Sequence, residues 1–288
     1  MTNDSFETTI FKSQKLHYNK FHVDGVTTIA HWHNHMEFVV TVEGSCICDI
    51  NGKAYPCVKG DIIFIPPGHL HSIRCQDGKY VAHIVGDQLL REVCLDPDIA
   101  HVVQAFEQAS FHSSMVMKQG SALAKQVFDQ LNDLGLCYED QDVAYEMAIK
   151  LHLCQLFLAI YQSTGMSLRT HQIEDKSVHY VKVALTYMDN HYNEKINLSV
   201  MGELTHLSAQ HFGRVFKQYT GKSFMYYLSL YRLDKAQWYL KNTDLPITQI
   251  PEKVGICNPN YMARLFKETY KKTPRQVRRP KGHKTTIE

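Results

Sequence analysis

Two short motifs carry side chains able to ligate a metal or hydrogen-bond a polar molecule. His31, His33 and Glu37 run as HxHxxxE ahead of Gly44, and Gly60, Pro66, Gly68 and His71 follow as GxxxxxPxGxxH. Three imidazoles and a carboxylate suit divalent Zn, Fe, Ni or Mn by ligand type. They also suit the hydroxyls of a small polar effector. On a strand His31, His33 and His35 share one face, so all three can line one interior, with Trp32 on the opposite side. A different chemistry lies in the last third of the chain. Arg214-Val-Phe-Lys217 recurs fifty residues later as Arg264-Leu-Phe-Lys267, each copy within a helical run that starts after a capping residue, Ser208 or Asn258. Each run follows a shorter amphipathic helix and a tight turn. That is a duplicated helix-turn-helix, whose second helix suits the DNA major groove.

Charge is segregated in the same way. From His179 onward there are eighteen Lys and Arg against eight Asp and Glu, whereas Met1 to Val178 holds thirteen against twenty-one. The net +2 of the whole chain hides a basic C-terminal third, the footprint of a phosphate-binding surface. The N-terminal residues lack the basic and apolar regions of a signal peptide. The longest apolar stretch, Leu156 to Tyr161, is too short to cross a bilayer, so a cytoplasmic protein is expected. The eight cysteines contain no CxxC pair and read as reduced, buried thiols.

The elements that must position these residues can be read from periodicity. From about Phe21 to Val85 apolar residues alternate between turns at Glu43-Gly44, Asn51-Gly52, Lys59-Gly60 and Gln76-Asp77-Gly78, predicting an antiparallel barrel or sandwich. Helices are predicted over Ala100 to His112, Ser121 to Leu134 and Asp142 to Tyr161. The last is apolar on two sides, Val143, Met147, Leu151 and Leu158 on one and Tyr145, Ile149, Leu153, Leu156 and Ile160 on the other. One side then faces the barrel and the other a second subunit. The domain boundaries that follow are 1–165 for an effector-binding and dimerisation domain, with strands over about 21–85 and helices over about 98–162. A polar linker occupies 166–177 and the DNA-binding domain 178–288. Within the latter, Asn197 can cap a helix from Leu198 to Leu204, Ser208 one from Ala209 to Tyr219, Ser223 a long one from Phe224 to Lys241, and Asn258 one from Pro259 to Tyr270. Pro251 falls in the first helix of the second unit and is expected to kink it. Phe212, Phe216 and Phe266 fall at helical spacing facing inward and read as core.

HxHxxxExxxxxxG followed by GxxxxxPxGxxH resembles the two-motif signature of the cupin barrels, departing from it in Cys75, which stands where an Asn commonly ends the second motif. The resemblance implies that His31, His33, Glu37 and His71 occupy the places that hold a divalent cation in metal-binding cupins. The run SxxxFxRVFKxxxGKSFxxYxxxxRLxKAxxxL, from Ser208 to Leu240, resembles the DNA-binding domain of the AraC family of bacterial transcription regulators. The likeness continues through Val254-Gly255, Tyr261, Arg264, Phe266-Lys267, Thr273-Pro274 and Arg278. By position it implies base contacts from Gln210, His211 and Arg214 and from Asn260, Ala263 and Arg264. Arg is suited to guanine and Asn or Gln to adenine. Gly213 stands where a side chain often reads a base. Ser208, Lys217, Lys222, Lys267, Lys271, Lys272 and the tail from Arg275 to Lys281 are assigned to phosphates.

The expectation is therefore an α+β chain, a cupin or jelly-roll domain followed by helices and then an all-α domain with two helix-turn-helix units. It reads as a non-enzymatic, homodimeric regulator, an activator of a carbohydrate-use operon working with RNA polymerase. His31, His33, His35, Glu37 and His71 would form the effector pocket, and Met147, Leu151 and Leu158 the dimer interface. Cys75 and the regulatory architecture favour direct binding of a sugar over a resident metal. The alternatives are a cupin oxygenase or isomerase carrying a DNA-binding domain, and a regulator that senses a fatty acid or a metal.

Overall fold

The computed structural model describes residues 16–25, 27–75, 77–86, Leu89, 116–164 and 176–278, which belong to two compact units divided between Glu174 and Asp175. The helix expected over Ala100 to His112 and most of the linker lie outside the described residues.

Among the described residues of the first unit the alternating segments become seven strands, β1 (Tyr18–Asp24), β2 (Met36–Glu43), β3 (Ser45–Ile50), β4 (Lys53–Val58), β5 (Ile62–Ile65), β6 (His71–Arg74) and β7 (Lys79–Val85), and a short eighth, β8 (Val116–Met117), follows beyond them. All pairings are antiparallel, in a five-stranded sheet of order β1-β7-β2-β5-β8 and a three-stranded sheet of order β4-β3-β6. Val39, Ile63, Ile65, Tyr80 and Ala82 of the larger sheet meet Cys46, Cys48, Ile50, Cys57 and Ile73 of the smaller one, giving a two-sheet, jelly-roll-like interior. Asn51 and Gly52 both have positive φ, 49° and 81°, as a two-residue hairpin between β3 and β4 requires.

The other face of the larger sheet is covered by two helices, α1 (Ala122–Asp140) and α2 (Tyr145–Thr164). This explains the unbroken Ile62-Ile63-Phe64-Ile65, buried at every position because β5 has a core on both sides. Helix α2 starts three residues later than expected, since Ala144 takes a left-handed φ of 68° and leaves Val143 ahead of the helix. Ile149, Leu153, Leu156 and Ile160 are buried, whereas Met147, Leu151 and Leu158 are exposed.

The cysteine expectation needs correction. Cys46 and Cys75 are joined by a disulfide, and Cys154 and Cys257 are exposed. The β3–β6 register pairs Ile50 with His71 and Cys48 with Ile73. Carried one step further it sets Cys46 opposite Cys75, with Cα atoms 4.5 Å apart. That is the close spacing of a non-hydrogen-bonded antiparallel pair, a relation between strands that cysteine spacing along the chain does not reveal.

Asp61 secures the turn into β5. Its buried carboxylate accepts from Val58 N at 3.0 Å, Gln119 N at 2.9 Å and Lys118 Nζ at 2.8 Å. Burial alone would raise its pKa, but the bonds from Lys118, Gln119 and Val58 outweigh it and hold it below the ordinary value. Asp61→Ala strands these donors and should lower the unfolding free energy by about 1 to 3 kcal/mol in urea titrations. Because the folded pKa is depressed, the stabilisation from Asp61 should be complete above the unfolded Asp pKa of about 3.9. It should be lost as pH falls through the folded value.

The second unit is all helical: α3 (Lys176–His191), α4 (Leu198–Thr205), α5 (Ala209–Thr220), α6 (Phe224–Asn242), α7 (Ile250–Lys253), α8 (Pro259–Tyr270) and α9 (Pro274–Val277). Asn197 Oδ1 accepts from Ser199 N and Val200 N, Ser208 Oγ from His211 N, and Asn258 Oδ1 from Asn260 N and Tyr261 N. Ser223 holds the N-cap position of α6 without a capping bond from its side chain. Phe212, Phe216, Phe224 and Tyr227 form a buried aromatic cluster, with Phe216 edge-on to both Phe224 and Tyr227.

Candidate functional site: a DNA-reading surface and a histidine–glutamate cluster

The two helix-turn-helix units repeat atom for atom at their turns. Leu207 N donates to Gly202 O at 2.9 Å in the first, and Ile256 N to Pro251 O at 2.8 Å in the second. His206 and Gly255 supply the left-handed residue, with φ of 56° and 74°. Gly202 is required by packing, because a Cβ there would lie 2.7 Å from Leu207 O. The expected kink at Pro251 does not occur. The helix is only four residues long and Pro251 stands in its first turn, where no intrahelical donor is needed.

Each second helix buries one face and exposes the other. In α5, Phe212, Val215 and Phe216 are buried while Gln210, His211, Arg214 and Lys217 are exposed. In α8, Met262, Leu265 and Phe266 are buried while Asn260, Ala263, Arg264 and Lys267 are exposed. The side chains that the resemblance assigned to bases therefore lie on accessible surfaces. Arg264 is steadied by Glu268 at 3.9 Å and by the Tyr261 ring, whereas Arg214 has no ion-pair partner among the described residues. Ser208, Lys217, Lys267, Lys271 and Lys272 are exposed, and Lys222 is half-buried with its ammonium over Tyr226.

Arg278 departs from its phosphate assignment. Its guanidinium donates to Thr243 O and Leu245 O, locking α9 to the segment after α6. Arg232 likewise donates to Tyr192 O and Glu194 O, both at 2.6 Å. Both arginines therefore serve the fold. Only tertiary contacts separate them from arginines available to phosphate.

The second site lies in the first unit. His31 is not on a continuous strand as its parity with His33 implied. It forms a single β-bridge with His71, and the chain from Trp32 to His35 is irregular before β2 begins. The convergence is achieved nonetheless, for one ligand atom from each of His31, His33, Glu37 and His71 lies within 4.8 Å of the others. His35 is buried and stacked on His33, with ring centroids 5.6 Å apart, but is not one of the four. Cys48 and Tyr80 also belong to this interior, and the nearby Glu37 carboxylate adds to burial in raising both their pKa values. Their side chains were not singled out in the sequence, because no motif contains them.

The hydrogen bonds dictate the tautomers. Nδ1 of His31 donates to Ile29 O at 2.9 Å, Nδ1 of His33 to His35 O at 3.1 Å and Nδ1 of His71 to His69 O at 2.8 Å. A neutral imidazole that donates from Nδ1 carries a lone pair on Nε2. Nε2 of His33 is hydrogen-bonded to Glu37 Oε2 at 3.2 Å, and Nε2 of His71 stands 3.1 Å from the same oxygen, buried without a hydrogen bond of good geometry. Such close nitrogen–oxygen contacts are attractive when a proton on Nε2 or a bound cation lies between the two atoms. Burial, then the neighbouring His71 and His33, lower the pKa of His31 to about 3. Burial would raise that of Glu37, but the two imidazoles outweigh it and hold it below the ordinary range. Carbonyl-anchored imidazoles around a carboxylate are the arrangement in which a divalent ion is bound, so the residues fit one.

Residues 18–157 match the AraC-like ligand binding domain family, and residues 201–280 match a helix-turn-helix domain family. The chain is 24% identical to the HTH-type transcriptional regulator YdeC of Bacillus subtilis over 85% of its own length and 84% of the relative's. It is also 24% identical to the transcriptional activator RhaS of Escherichia coli over 86% of each. Among solved structures, ToxT of Vibrio cholerae aligns over 90% of this chain and 96% of that one, with 13% identity and a TM-score of 0.47. No helix among the described residues is long and apolar enough to cross a membrane. With a ligand-binding domain and a DNA-binding helix-turn-helix domain both matched in this order, the chain belongs to the AraC family of transcription regulators.

Proposed function

We propose that the protein activates a carbohydrate-use operon as a homodimer, and that its effector binds at the histidine–glutamate cluster, where His31, His33, Glu37 and His71 hold a divalent cation. The observation that carries the site is the pair of Nε2 atoms turned toward one carboxylate oxygen. A cation there offers remaining coordination positions to oxygen donors, and vicinal hydroxyls of a sugar are ligands of that kind. The name of RhaS as an activator supports the sign of regulation, and recruitment of RNA polymerase is the means proposed for it. Gln210, His211, Arg214, Asn260, Ala263 and Arg264 face bases in this reading, and Ser208 with the flanking lysines meets phosphates.

Two substitutions in the full chain test the DNA contacts. Arg214→Ala should cost about 1 to 3 kcal/mol on the selected operator and relax preference at one base pair. Lys267→Ala should weaken all sequences alike and make the salt dependence shallower. An unchanged motif for Arg214→Ala in a randomised-site selection would remove that residue from base reading. A thermal-shift screen of sugars with and without divalent metals tests the effector, since a ligand at 100 times its Kd adds about 2.7 kcal/mol.

A further inference from the structure

Gln210, Gly213, Arg214 and Lys217 follow one another at i, i+3, i+4 and i+7, so they form one stripe along α5, on the side away from Phe212 and Phe216. Asn260, Ala263, Arg264 and Lys267 form the corresponding stripe on α8, fifty residues later at every position. Each stripe has three polar side chains and one of the two smallest residues, at the same place.

Nothing among the described residues accounts for Gly213. It is in a helix interior, where glycine is among the most destabilising residues after proline. Its φ is not among the positive ones, so no left-handed backbone demands it. A Cβ built there would meet only Leu198, at 3.7 and 3.9 Å, which is ordinary contact. Gly202, by contrast, has a carbonyl where its Cβ would go. Helix propensity and the room around its Cα both favour alanine at 213.

We propose that Gly213 is a specificity-determining residue, the point at which α5 comes closest to the base edges of the operator. The absent side chain lets the helix backbone sink into the groove, so that Gln210 and Arg214, on either side of it, reach their bases. Ala263 is the equivalent point on α8, where a methyl group is still accommodated. The proposal rests on the DNA-reading role of α5, and its test separates the two.

The experiment compares wild type, Gly213→Ala and Gly213→Leu in the full chain. It measures Tm, affinity for the operator recovered by randomised-site selection, and affinity for unrelated duplex DNA of the same length. Gly213→Ala should raise Tm yet weaken operator binding at least tenfold, with less than twofold change on unrelated DNA. Gly213→Leu, bulkier but still a good helix former, should weaken operator binding further. A raised Tm with operator affinity and selected motif both unchanged would overturn the proposal. If Arg214→Ala also left the motif unchanged, the reading role of α5 would fail with it. Loss of motif preference in Arg214→Ala alone would confine the failure to Gly213.

Discussion

Replacing His33 and His71 together by alanine should strip the protein of one divalent ion per chain and lower its Tm even without effector. The two residues supply two of four ligand atoms, each oriented by a carbonyl behind it, so no rearrangement within the cluster can restore them. At a free metal concentration near 1,000 times Kd, the loss corresponds to about 4.1 kcal/mol. Metal content is read by elemental analysis of protein purified without added metal or an affinity tag, and stability by calorimetry with and without chelator. A wild type devoid of metal, with a double variant that keeps its Tm and operator binding and loses only its response to sugar, would show that the imidazoles contact the effector directly. That is the outcome favoured by Cys75 and the regulatory architecture. The convergence of both Nε2 atoms on Glu37 Oε2, with each imidazole anchored to a carbonyl through Nδ1, reverses the preference, because it matches the arrangement of a metal's ligands.

Leu158→Glu should split the homodimer proposed above. Met147, Leu151, Cys154 and Leu158 are all exposed on α2 and follow one another at steps of four, three and four residues, the spacing of a coiled-coil seam. Pairing of two such seams would bury the apolar face that the fold of one chain leaves in water. A carboxylate without a partner inside that seam costs about 3 to 5 kcal/mol. Sedimentation should show monomers, and circular dichroism should show an unchanged helix content, since Leu158 points away from the buried Leu153, Leu156 and Ile160. A folded variant that stays dimeric would remove α2 from the interface.

Much of this was written locally in the chain. The caps Asn197, Ser208 and Asn258, the φ-positive Asn51-Gly52 and the inward Phe212, Phe216 and Phe266 are decided by residues a few positions apart. The second helix of each unit is therefore legible to within a residue or two at its ends. Motif spacing also named the four members of the cluster. It could not reveal how they meet. His31 reaches the others through a bridge to His71, forty residues away, and the tautomers depend on carbonyls of Ile29, His35 and His69 whose directions only the folded backbone defines.

Where the outcome depended on neighbours distant in sequence, the tertiary structure decided. Cys46 and Cys75 meet because two strands pair in a particular register, and Arg278 is withdrawn from the basic surface because two carbonyls capture it. Pro251 is harmless because the helix begins beside it. Periodicity and capping energies are local and survive in any fold that keeps the segment. Register, carbonyl direction and the room around a missing Cβ exist only once separate segments are packed.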